Sequence, residues 1–273
     1  MINFLHTFIP QQVALNIGPI SLRWYGVFIT LAIIAALFTS FHLGKKYFNI
    51  KKDLIIDLAF WLIIFGLLGA RIYDVILYLP YYINHPGQII QIWKGGMAIH
   101  GAIIAGLITI YLFSRKNKIS FFKISALVVP GLALGQAIGR FGNYFNQELF
   151  GRPTNLPWGI PIEINNRPFN FIDNNYFHPT FLYESLGSLI IFLVLIFIIK
   201  KIYQKKQATN YQNIMIIAVY MILYSILRFS LEFIRIDDTP LFLNLRWPQI
   251  ISILLIIISF ITLIFYPHAK KNI

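Results

Sequence analysis

Apolar residues in this chain come in unbroken runs of about twenty, the length at which a helix rising about 1.5 Å per residue crosses a bilayer core of about 30 Å. Seven such runs lie at 24–43, 54–79, 97–113, 124–141, 180–199, 214–233 and 249–266. Each is apolar on every side, whereas strands of a membrane barrel alternate over about ten residues, so the pattern predicts helices. The fourth run is the least apolar. No internal repeat, low-complexity tract or long linker divides the sequence. The expected fold is therefore an all-α polytopic membrane protein, a single transmembrane domain over 1–273 with about seven spans and one sizeable insertion at 142–179.

Composition agrees: 58% of residues are hydrophobic and 12% charged, and the mean hydropathy is +0.68, against about 25% charged in soluble domains. Residues 1–22 contain neither Lys nor Arg, so the first run lacks the basic flank of a cleaved signal and is expected to remain as an anchor. Basic residues cluster after alternate runs, at Lys45, Lys46, Lys51 and Lys52; Arg115, Lys116, Lys118 and Lys123; Lys200, Lys201, Lys205 and Lys206; and Lys270 and Lys271. Such clusters mark short cytoplasmic loops. They put the amino terminus outside, the carboxyl terminus inside and the insertion on the outer face. The net charge of +13 is thus mostly topological, attracted to anionic membrane lipids, and no nucleic-acid partner is expected. With no cysteine in the chain, any thiol chemistry must come from a partner.

An arginine or aspartate near the centre of a membrane helix costs about 2.5–3.5 kcal/mol, and such residues face a bundle interior or a wet cavity. The second run carries Arg71 and Asp74, the end of the fourth Arg140, the fifth Glu184, and the sixth Arg228 and Glu232. Tyr224, Arg228, Glu232 and Arg235 follow at helical spacing and share one stripe. Two readings fit that stripe: an ion-pair ladder fixing helix packing, with Glu232 against Arg228, or a functional lining, which the mixture of arginine with tyrosine favours. Arg71 and Asp74, three residues apart, are able to neutralise each other locally and are secondary candidates.

The segment 139–152 (GRFGNYFNQELFGR) concentrates polar groups between glycines expected to interrupt the helix. Arg140, Asn143, Asn146, Glu148 and Arg152 supply donors and acceptors together, and a planar guanidinium suits a phosphate bidentately. GGMAIHGA at 95–102 places His100 among small residues expected to leave room for a ligand, and histidine exchanges protons near neutral pH; a packing role fits a lone histidine equally. His178, Pro179, Tyr183 and Glu184 open the fifth run, where an aromatic belt also accounts for the tyrosine. No Walker loop, dinucleotide fingerprint, HExxH motif or metal-ligand spacing occurs, so neither cofactor nor metal is expected.

RWYG at 23–26, GAR at 69–71, GGMAIHGA at 95–102, GRFGNYFNQELFGR at 139–152, HPTFLYE at 178–184 and YSILRFSLEFIR at 224–235 together resemble the bacterial prolipoprotein diacylglyceryl transferases, in order and spacing, across nearly the whole chain. The long glycine-arginine-asparagine motif is the specific part. The resemblance implies a plasma-membrane enzyme with seven helices and a small periplasmic head. Such an enzyme transfers diacylglycerol from phosphatidylglycerol to the lipobox cysteine of preprolipoprotein signal peptides, and glycerol phosphate leaves. It makes His100 the candidate base, and Arg140 and Arg228 the candidate phosphate ligands. Tyr25, Asn143, Glu148, Tyr224, Glu232 and Arg235 match further functional positions, Tyr224 being grouped with the catalytic residues. Two departures stand out: Ala102 where a second glycine is common, expected to narrow the space beside His100, and the bulkier 246–249 (RWPQ). The rival classes are a small-anion transporter, against which the lack of an inverted repeat counts, and a membrane scaffold, which leaves the polar glycine-rich segment without a purpose.

Overall fold

A computed structural model of the chain describes residues 2–18, 20–204 and 208–269. Lys205, Lys206, Lys270 and Lys271 lie outside the described residues. Helices α1 (Ile2–Thr7), α2 (Trp24–Leu43), α3 (Lys52–Leu77), α4 (Leu79–Asn84), α5 (Ile99–Lys116), α6 (Phe121–Phe145), α7 (Thr180–Tyr203), α8 (Asn210–Leu231) and α9 (Trp247–Ala269) carry most of the chain. Three short antiparallel hairpins complete it: β1 (Val13–Ile17) with β2 (Ile20–Arg23), β3 (Ile160–Pro161) with β4 (Tyr176–Phe177), and β5 (Leu241–Phe242) with β6 (Leu245–Arg246).

Among the described residues six helices are long and apolar enough to cross a membrane: Trp24–Phe48, Lys52–Leu77, Phe121–Phe145, Thr180–Tyr203, Asn210–Leu231 and Trp247–Tyr266. The run expected at 97–113 forms the shorter α5, 18 residues whose last turn holds Arg115 and Lys116. Six spans and this shorter helix account for the seven runs, and the protein is a multi-pass membrane protein. The chain forms two compact units, residues 1–39 with 128–273 and residues 40–127.

In the larger unit, glycines set how closely α2 and α6 approach. A Cβ at Gly131 would stand 3.0 Å from the carbonyl oxygen of Ala36, one at Gly135 3.7 Å from that of Ala32, one at Gly139 3.8 Å from Ile29 and one at Gly142 2.9 Å from the Tyr25 ring. The glycines follow one another at helical spacing, so they line one face of α6, and small residues there let backbones meet where no hydrophobic force drives helices together. Gly139 and Gly142 therefore do not interrupt the helix, contrary to the expectation from sequence. The helix runs through both to Phe145 and ends in a turn where Gln147 and Leu149 take left-handed backbone angles, φ 53° and 57°.

The head has its own core of Tyr144, Phe150, Ile160, Ile162, Phe177 and Phe181. The amino-terminal segment belongs to it: Leu5 and Phe8 pack on that core, and His6 stacks on Tyr176 with ring centroids 3.8 Å apart. The insertion 142–179 is thus only part of the head.

In the smaller unit α3 and α5 cross where Gly69 meets Gly101; a Cβ on either would collide with the other's backbone. Arg71 and Asp74 are an ion pair at 3.8 Å, but the pairing is the lesser part of their work. Arg71 also donates to the carbonyls of Gln88, Ile89, Gly95 and Gly96 at 2.5–2.8 Å, and Asp74 accepts from the Tyr82 hydroxyl at 2.8 Å. Gly96, at φ +72°, sits against all three side chains. Gly96 therefore accommodates this cradle, while a Cβ at Gly95 would meet open space.

Gly131→Leu is expected to lower the melting temperature in detergent, because overpacking a tight helix contact costs about 1–3 kcal/mol. Gly135→Ala, whose new methyl meets only ordinary contacts, should melt within a few degrees of wild type.

Candidate active site

The buried charges of the larger unit form one chain of alternating sign. Arg140, near the end of α6, pairs through Nη2 with Glu184 in the second turn of α7. The other oxygen of Glu184 lies 3.6 Å from Arg235 Nη1, and Arg235 Nε donates to Asp237 at 2.8 Å. Asp237 faces Arg246 Nη2 at 3.5 Å. Arg246 Nε stands 3.1 Å from one oxygen of Glu232, whose second oxygen lies 3.0 Å from Arg228 Nη2. The N–H groups are not aimed at the Glu232 oxygens, so Coulomb attraction holds that carboxylate rather than directed hydrogen bonds.

Four guanidiniums and three carboxylates make up this chain, which leaves one positive charge in excess. Its two ends are Arg140 and Arg228. Their side chains are 20% and 17% exposed, against 15% for Arg246 and 4% for Arg235 within the chain. Among the described residues Arg228 is engaged through Nη2 alone, and Arg140 through its two terminal nitrogens, Nη1 going to the Asn143 side chain at 3.1 Å. Both ends keep donors in hand. Asn143 in turn donates to Glu148 at 2.6 Å, and Glu148 itself is exposed.

Tyr25, at the start of α2, lies against Gly142 and within electrostatic reach of Arg140 and Glu148. Tyr224, stacked on Tyr220 at 5.9 Å, faces Glu184, Arg140, Arg228 and Arg235. The structure therefore brings together Tyr25, Arg140, Asn143, Glu148, Tyr224, Arg228, Glu232 and Arg235. The ion-pair ladder expected of the α8 stripe is present, with Glu232 against Arg228, and its ends are open. Its last member is not helical: α8 ends at Leu231, Glu232 caps it, and Arg235 lies in a β-bridge with Gly151. That bridge, with Arg152 N–H donating to the Ile234 carbonyl at 2.8 Å, ties the head to the end of α8. The Arg152 side chain is exposed.

His100 belongs to the smaller unit, in the first turn of α5. It is exposed, its ring 5.9 Å from that of Tyr73.

Two members of the chain, Asp237 and Arg246, escaped the sequence reading as candidate site residues, and Glu184 entered it as a costly charge and as part of HPTFLYE at 178–184. Arg246 registered merely as bulk before the last span. It also binds the carbonyls of Arg235 (2.6 Å) and Asp237 and the Thr239 hydroxyl (2.8 Å), so it closes the loop between α8 and α9. The available signal was charge balance, since buried arginines require carboxylates nearby. Burial alone would raise the Asp237 carboxyl, but the hydrogen bond from Arg235 and the charges of Arg235, Arg246 and Arg228 outweigh it and hold the group below the usual carboxylate range. At the head, burial pushes the His178 imidazole below its usual range.

Fold and site define a class, a polytopic all-helical membrane protein with an arginine–carboxylate chain where its helices end. Residues 12–265 match the model of the family described as prolipoprotein diacylglyceryl transferase, and the chain belongs to that family of transferases. A relative from Finegoldia magna is 43% identical over 264 residues, 96% of this chain and 97% of the relative. One from Synechocystis is 42% identical over 263 residues, covering 96% and 92%, and one from Nostoc 42% over 244 residues, covering 89% and 85%. All three are named phosphatidylglycerol--prolipoprotein diacylglyceryl transferase.

Arg246→Ala leaves buried Glu232 one guanidinium short and is expected to destabilise the protein by about 3 kcal/mol or more, as breaking a buried pair does. Thermal melting in detergent checks this; an unchanged midpoint would show that Arg228 alone suffices.

Proposed function

We propose that the protein transfers the diacylglyceryl group of phosphatidylglycerol to the thiol of the lipobox cysteine in a preprolipoprotein. The glyceryl carbon–oxygen bond to phosphate breaks, a carbon–sulfur bond forms, the thiol proton passes to a base, and glycerol phosphate leaves. The observation that carries this reading is the alternating chain with its two open ends, Arg140 and Arg228, whose guanidiniums keep donors that no carboxylate engages. A phosphodiester carries one negative charge, and a second develops on the phosphate as the bond breaks. Donors fixed in advance where charge develops stabilise the transition state without reorganising.

In this reading Arg140 and Arg228 hold the phosphate. Glu184, Glu232 and Arg235 fix their directions, while Asn143 and Glu148 hold the Arg140 end. Tyr25 and Tyr224 line the cluster and orient the headgroup. The base is His100, an exposed imidazole in the first turn of α5, and since a free thiol has a pKa of about 8.5 the assistance needed is modest. The chain has no cysteine, so the only sulfur nucleophile is the substrate's.

The membrane in this proposal is the bacterial plasma membrane, with the amino terminus outside and the carboxyl terminus cytoplasmic. The basic clusters that follow alternate spans support that orientation.

Purified protein, phosphatidylglycerol and a lipobox peptide should yield a peptide heavier by one diacylglyceryl group; folded protein giving no mass increase would sink the proposal. Arg140→Ala should lower kcat/KM by about a hundredfold, the scale of removing one transition-state donor. His100→Gln should lose turnover and flatten the pH–rate profile, and near-normal turnover with an unchanged profile would exclude the base role. Because the chain is free of cysteine, topology is open to single-cysteine labelling. A cysteine replacing exposed Phe169 should react with an impermeant maleimide on intact cells and one replacing Lys46 should not; the reverse pattern would invert the topology.

A further inference from the structure

The head contains a second concavity that the reaction above does not use. It encloses about 690 Å³ between residues 10–16 on one side and Gln147, Glu163, Asn165 and Asn166 on the other. Among the described residues β1 lines it and β2 does not, so it follows the edge of β1 that the hairpin leaves open. An open strand edge presents N–H and C=O groups that lack partners and templates another extended chain. The opposite wall is fixed by Gln147, a buried side chain that donates to the Pro10 carbonyl at 2.9 Å and accepts from Glu163 N–H at 2.7 Å and Asn166 at 3.2 Å. Amide side chains dominate the lining, and among the described residues Glu163 is its one charged member.

This groove starts where the arginine chain ends. Gln147 directly precedes Glu148, the acceptor of Asn143, and Gln12 at the groove donates to the Asn146 carbonyl at 3.4 Å. A protein substrate with its cysteine at the Arg140 end must continue away from that turn, and the groove offers main-chain partners in that direction. We propose that the groove binds the residues immediately following the modified cysteine of the substrate, as an extended strand added to β1. Strand addition takes its affinity from main-chain hydrogen bonds, so it tolerates many sequences, while Glu163 disfavours acidic ones. The proposal rests on the transferase reading.

Two peptides test it with the protein in phosphatidylglycerol nanodiscs: one ends at the lipobox cysteine as an amide, and one continues for about six residues, a strand of typical length. The longer peptide should have a KM about tenfold lower at equal kcat, the worth of one or two net hydrogen bonds. Ala14 lies at the register irregularity and has no Cα partner on β2, so Ala14→Pro removes a main-chain donor of β1 where the hairpin pairing is already interrupted. That variant should remove the advantage of the longer peptide and leave the shorter one unchanged. N-methylation of alternate amides in the extension should do the same to wild type. Equal KM values for the two peptides, or an Ala14→Pro that slows both alike, would overturn the proposal. If wild type turns over neither peptide, the transferase reading fails. Fluorescence anisotropy with serine in place of the peptide cysteine then still decides the groove: tighter binding of the longer peptide, lost in Ala14→Pro, supports it, and equal binding overturns it. Self-association of the protein abolished by Ala14→Pro would assign the edge to a second copy instead and overturn it too.

Discussion

A carboxylate buried in a membrane protein must be met by positive charge, and two carboxylates here organise the larger unit by each being shared. Glu184 lies between Arg140 and Arg235, and Glu232 between Arg228 and Arg246. With their side chains at most 3% exposed, leaving either unpaired would cost several kcal/mol. Sharing links the end of α6, the start of α7, the end of α8 and the start of α9 into one electrostatic object. It also leaves the interior guanidiniums consumed and the terminal ones partly free, so the same pairing that stabilises the bundle decides which arginines remain able to bind.

Close backbone approach places those ends. The α6 glycines admit α2 near enough for Tyr25 to rest on Gly142, two residues from Arg140. In the smaller unit Gly69, Gly96 and Gly101 serve the same end differently, letting α3 and α5 touch and letting Arg71 gather four carbonyls just before His100. In a bilayer these contacts depend on van der Waals packing and satisfied polar groups, because lipid supplies little drive for helices to associate.

Most of this was legible in the sequence where length and charge carried the information. The spans followed from run length, and the members of the cluster on α6 and α8 from the cost of charge in lipid. Local rules failed where a residue's role depends on a distant partner. Gly139 and Gly142 read as helix breakers, because nothing local shows Ile29 and Tyr25 lying across from them. Arg71 and Asp74 read as a self-contained pair, because the carbonyls that Arg71 collects are 17 to 25 residues away. Leu5, His6 and Phe8 gave no sign of joining the head, since aromatic packing between His6 and Tyr176 leaves no periodicity. Arg246 looked like mere bulk because its value lies in a carboxylate 14 residues earlier.

The position of Arg246, at the threshold of α9, bears on how the protein is made. Chains emerge from the ribosome amino terminus first, at about 5–20 residues per second, so α8 with Glu232 is synthesised before Arg246 exists. Until then Glu232 has Arg228 as its neighbour but lacks its second guanidinium, and the loop that Arg246 closes has nothing to close it. Helix α9 is therefore more than an anchor, because the arrival of Arg246 at its start completes the charge balance of a helix already made. A nascent chain stalled before α9 would hold the spans already made but not its finished arginine chain, so the cluster matures only once Arg246 has been added.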